Sequence, residues 1–137
     1  MRMSFEEISH TADVKIRVHA PTLEALFSET FKALMQVMFG PNRAGGIPRE
    51  IRIESSDNES LLADFLSEVL FISEVESLVF SDACVRIDGL RLTAELTGEP
   101  FDPVRHSGGC EVKGISYSGL AVTHEANGYM LDIIFDV

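Results

Sequence analysis

At 137 residues, 45% of them hydrophobic and 24% charged, the chain has the balance of one globular domain that can bury a core without staples. Acidic residues outnumber basic ones 22 to 11, for a net charge of −11, and no basic run occurs. That argues against independent binding of nucleic-acid backbones, which needs Lys and Arg to displace counterions; it suits solubility, divalent cations or a basic partner protein.

The start, Met1-Arg2-Met3-Ser4-Phe5-Glu6-Glu7, turns acidic at once and lacks the apolar core of a signal peptide. No apolar run reaches transmembrane length, so a soluble cytoplasmic protein is expected, with no membrane partner. Cys84 and Cys110 have no metal-ligand spacing and are expected as reduced, half-buried thiols.

Ser9-His10-Thr11-Ala12-Asp13 gathers an imidazole, two hydroxyls and a carboxylate. Such a cluster shapes a turn, or holds chemistry at the mouth of a strand. Val14, Ile16 and Val18 then alternate with Lys15, Arg17 and His19, which predicts the first strand over 14–19. Thr22 is placed to cap a helix whose apolar stripe is Leu23, Leu26, Phe27, Phe31, Leu34, Val37 and Met38. Glu24, Ser28, Glu29, Lys32 and Gln36 form its polar side. The stretch from Gly40 to Pro48 reads as a loop without a phosphate-binding pattern. A second strand is predicted over Arg49–Ser55.

Ser56 and Glu59 have capping-box spacing before a second helix. Its buried side is Leu61, Leu62, Phe65, Leu66, Val69, Leu70 and Ile72, with Asp64, Glu68 and Glu74 opposite. Asp64 and Glu68 share a face, as a solvated pair or a pair of ligands. Strands follow to the end: Ala83–Ile87 and Leu90–Leu96 about the hairpin signal Asp88-Gly89, then Glu111–Glu125 broken at Ser118-Gly119, the hairpin signal Asn127-Gly128, and Tyr129–Phe135. The loop Gly98–Gly109 offers His106 as its candidate side chain. The order predicts an α+β fold: a two-layer arrangement, mostly antiparallel sheet, with two main helices packed on one face.

Asp136 sits between an apolar pair and Val137, whose terminal carboxylate adds negative charge and whose carboxylate or carbonyl is a further candidate metal ligand. If the last strand pairs with the first, Asp13 and Asp136 meet at one rim with His10 close. Carboxylate oxygens, backbone carbonyls and water there suit calcium, magnesium or manganese; zinc would want more His or Cys. Lys113 is a cation in a strand-like stretch of an acidic chain, an anchor for an anion or an ordinary surface residue.

His10-Thr11-Ala12-Asp13-Val14, the helix 61–71, the stretch Glu111-Val112-Lys113-Gly114-Ile115-Ser116-Tyr117 and the end Ile134-Phe135-Asp136-Val137 together resemble the archease family over nearly the whole chain. The resemblance implies a non-catalytic accessory protein of the manganese- and GTP-dependent, RtcB-type RNA-splicing ligase. It would promote guanylylation and multiple turnover of that ligase in tRNA splicing and RNA repair. It also implies a divalent metal on Asp13 and Asp136, and a role for Lys113 in activation. His10 and Glu111 would stand behind the ligands. The family usually has His where Ser118 stands, and commonly Ala where Gly114 stands. Two other functions compete: a small hydrolase using a metal on His10, Asp13 and Asp136, and a chaperone-like module that only binds partners.

Overall fold

The computed structural model describes residues 3–9, 13–117 and 119–137. Among the described residues, two helices and eight strands make up an α+β fold, as the sequence predicts. The strands are β1 (Ser4–Ser9), β2 (Asp13–Ala20), β3 (Ile47–Glu54), β4 (Leu78–Asp88), β5 (Arg91–Pro100), β6 (Gly114–Ser116), β7 (Thr123–Glu125) and β8 (Gly128–Asp136). The helices are α1 (Leu23–Phe39) and α2 (Asn58–Glu76).

All the pairings are antiparallel, but the strands divide between two sheets rather than forming one. The larger runs β1-β2-β8-β6, with β7 also on β8; the smaller runs β3-β5-β4. Both helices touch both sheets: α1 meets β1, β2 and β8 on one side and β4 on the other, and α2 meets β3, β4, β5 and β6. The helices therefore pack on both sheets through one hydrophobic cluster. Phe65 of α2 lies near Phe27 and Phe31 of α1 at its centre, with ring centroids 6.3 and 6.4 Å away. Wrapping α1 on two sides buries Glu29 and Thr30, which the amphipathic pattern assigned or left to the polar side.

Local chemistry accounts for the element ends. The Thr22 hydroxyl accepts from the Ala25 N–H at 3.1 Å and caps α1. Gly40, at φ +77°, ends that helix in a conformation that favours glycine. The α2 cap is Asp57, not Ser56: its Oδ1 accepts from the Ser60 N–H at 2.7 Å. Glu59 does not close a capping box but accepts the Val122 N–H at 2.8 Å. Strand β1 escaped the sequence reading because Phe5 and Ile8 are three apart, off the two-residue strand period. The register shift between Glu7 and Ser9 is the physical reason. Cys84 and Cys110 are free but exposed, not half-buried. Strands β4 and β5 also extend beyond the predicted limits, taking Gly98–Pro100 out of the loop.

Candidate metal site at the sheet rim

Asp13 opens β2 and Asp136 closes β8, and the antiparallel register sets them directly opposite each other. Val14, Ile16, Val18 and Ala20 fill the buried face of β2, so Asp13 takes the outward face with Lys15, Arg17 and His19. In β8, Leu131, Ile133 and Phe135 are buried, which puts Asp136 outward as well. Both carboxylates are on exposed residues on one side of the sheet. Beyond the pair Lys15 and Ile134, two further outward residues are joined: Arg17 donates to Asp132 through Nε at 2.8 Å and a second nitrogen at 3.1 Å. That fork holds the Asp132 carboxyl below the usual carboxylate range.

Strand β6 closes the other side of Asp136. The Lys113 N–H donates to the Asp136 carbonyl at 2.6 Å, and Gly114 pairs with Asp136. A Cβ at position 114 would lie 3.7 Å from Asp136 Oδ2, an ordinary contact. Either glycine or alanine therefore fits there, and the departure at Gly114 leaves the carboxylate undisturbed. Lys113 is thus tied to Asp136 through the main chain, and the residue also lines a groove toward α2, as does Glu111. Val137 is partly exposed beside Asp136. His10 and Ser118 lie outside the described residues.

The donor set fits a hard divalent cation. Two opposed carboxylates supply oxygen, and no ion pair among the described residues neutralises either. Among the described residues no three His, Cys, Asp or Glu side chains converge on one point. The pair therefore offers part of a coordination shell, with room for backbone carbonyls, water or groups from another molecule.

His106 belongs to the scaffold. The Asp102 N–H donates to its Nδ1 at 2.8 Å, so the proton sits on Nε2 and is donated to Glu99 Oε2 at 3.0 Å. Glu99 also accepts from Arg105 and from the Ala44 N–H. Chiefly through the Arg105 bond, its carboxyl is pulled down to about 2. Asp64, read as half of an exposed pair with Glu68, is engaged instead. Ser55 donates to its Oδ2 at 2.6 Å and the Tyr117 hydroxyl to its Oδ1 at 2.9 Å. Burial and that bond to Asp64 raise the Tyr117 hydroxyl above its ordinary range. These two hubs join residues far apart in the chain, and no local spacing announces them. Only Glu99, Arg105 and His106 lie close enough in sequence to have suggested a cluster.

Fold and rim together define a small α+β protein with paired carboxylates at a strand end and oxygen ligands to offer. The description "Archease protein family (MTH1598/TM1083)" belongs to the family model that matches residues 5–137. Protein archease of Pyrococcus abyssi is 36% identical over 97% of this chain and 98% of its own length. That of Methanosarcina barkeri is 33% identical over 97% and 95%. The solution structure of Methanobacterium thermoautotrophicum protein 1598 superposes with a TM-score of 0.85 at 30% identity, covering 97% of this chain and 98% of that one. A Thermotoga maritima crystal structure, described as an archease and possible chaperone, has a TM-score of 0.65 at 17% identity over 100% and 98% and shares the fold. The chain belongs to the archease family.

Proposed function

We propose that this chain is a divalent-cation-binding accessory protein that activates an RtcB-type RNA-splicing ligase by promoting its guanylylation and turnover. The observation that carries the reading is the register of β2 on β8, which faces Asp13 with Asp136 across one sheet rim. The Thermotoga relative's description as a possible chaperone agrees with a protein that works on a partner.

Asp13 and Asp136 would hold the cation, with carbonyls near Val137 and water completing its shell. The bound ion would supply a compact positive charge at the rim, suited to an anionic group of the partner's nucleotide site. This chain's own residues position that charge: β2 and β8 fix the two carboxylates, and the Lys113 N–H holds the main chain of Asp136. Lys113 contributes a cationic side chain beside the same segment. Calcium, manganese and magnesium all suit the oxygen donors.

The test is single-turnover guanylylation of the ligase with and without the accessory chain. Asp13→Ala and Asp136→Ala each abolish stimulation while leaving the circular dichroism spectrum unchanged. Lys113→Ala reduces stimulation but retains cation binding. Full stimulation by both aspartate variants would sink the reading. Turnover of a phosphoester by the chain alone with manganese would favour a metal-dependent hydrolase instead.

A further inference from the structure

The outward side of α2 carries an apolar stripe that neither the core nor the rim uses. Leu62, Phe65, Leu66 and Val69 are buried. Phe71 and Val75, four residues apart, face the opposite way and are 60% and 64% exposed. Large apolar side chains held together on a surface mark a contact site more often than isolated ones do. On the next side of the helix, past Glu74, Leu70 and Ser73 wall a groove of about 590 Å³ together with Phe101 and Val112. Phe101 is itself 45% exposed.

Charge selects the occupant. On the helix surface Glu68 and Glu74 flank the Phe71–Val75 stripe, and Glu111 lines the groove. Among the described residues none of these three carboxylates has an ion-pair partner, whereas nearby Glu76 is paired with Arg49. Among the described residues Lys113 is the one Lys or Arg lining the groove, in a chain of net charge −11. An apolar stripe rimmed by free carboxylates favours a cationic amphipathic segment: apolar anchors seat in the groove, and Lys or Arg meets the rim.

We propose that this stripe and groove dock a basic amphipathic helix of the ligase, a proposal that rests on the accessory function above. The groove adjoins the metal rim through Lys113, whose N–H bonds the Asp136 carbonyl. A helix seated there brings its protein to the edge where Asp13 and Asp136 stand.

The experiment measures binding of the intact chain to the purified RtcB-type ligase of the same organism, alongside stimulation of guanylylation and calcium or manganese binding. In Phe71→Ser/Val75→Ser the dissociation constant rises at least about tenfold, as for loss of central apolar anchors. Cation binding and melting temperature hold, because both side chains are exposed. Glu68→Lys/Glu74→Lys weakens binding at low salt and flattens its salt dependence. Unchanged affinity and stimulation in both double variants overturn the docking site while leaving the accessory function standing. A wild-type chain that neither binds nor stimulates the ligase overturns that function and the docking site with it. If Phe71→Ser/Val75→Ser only converts a wild-type dimer to monomer, the stripe joins two copies of this chain and the proposal fails.

Discussion

Asp13 and Asp136 face each other with like charge, and a direct cross-strand pair of that kind costs up to about 1 kcal/mol. On the proposed function, a cation held between them would convert that cost into a gain. At a free cation concentration of 100 times the dissociation constant, the gain is about 2.7 kcal/mol. Manganese or calcium should therefore raise the melting temperature, and a chelator should reverse the rise. Asp13→Asn/Asp136→Asn should lose this response and melt slightly higher than wild type without cation, because the repulsion is gone. Differential scanning fluorimetry with and without chelator checks both signs. Glu99 makes the opposite kind of prediction. Its carboxyl falls from 4.5 to about 2 on folding, so its stabilising effect is complete above pH 4.5 and disappears as the pH falls toward 2. Asp132, Asp57 and Glu76 shift in the same direction. Glu99→Gln should lower the melting temperature at pH 7 and make its decline between pH 5 and pH 2 shallower. The Asp pair was legible in the sequence on one condition, that the two strands pair. The Glu99–Arg105–His106 hub was not, because it joins the end of β5 to the loop after it, and a loop has no period to reveal which side chains turn inward.

At the scale of elements, ends and close approaches decide stability. Thr22→Ala should cost about 1 kcal/mol through the lost α1 cap. For α2, Asp57→Ala should lower the melting temperature while Ser56→Ala leaves it nearly unchanged, since Asp57 accepts the Ser60 N–H. Gly109 is the sharper case. A Cβ there would stand 2.3 Å from the backbone of Met38 and from the Val37 carbonyl, the same carbonyl that accepts the Cys110 N–H. Gly109→Ala must push the loop off the end of α1, at about 1–3 kcal/mol, which denaturant titration measures. The helix periods and both hairpins were readable because they depend on neighbours in sequence. Gly89, at φ +62°, makes the first hairpin turn; in the second, Glu125 pairs with Gly128 across a two-residue turn one position earlier than Asn-Gly implied. Strand β1 was unreadable because its bulge breaks the alternation on which strand recognition rests.

For the whole molecule, the helices act as joints between two sheets. Phe65 meets Phe27 and Phe31 where α1 and α2 approach. Phe65→Ala should remove about 3–5 kcal/mol, read as a lower midpoint in urea, because little can collapse into the space left by a fully buried ring. The sequence by itself determined the α+β class, the helix faces, the hairpins and the family resemblance, since all follow from short-range periods, turn chemistry and motifs. Tertiary structure alone decided that the strands split into two sheets, that Glu29 and His106 are buried, and that Phe71 and Val75 face outward. It also decided that Asp13 lies opposite Asp136. The physical reason is that alternation says which way a side chain points from its own strand, whereas partner and register depend on residues more than a hundred positions away.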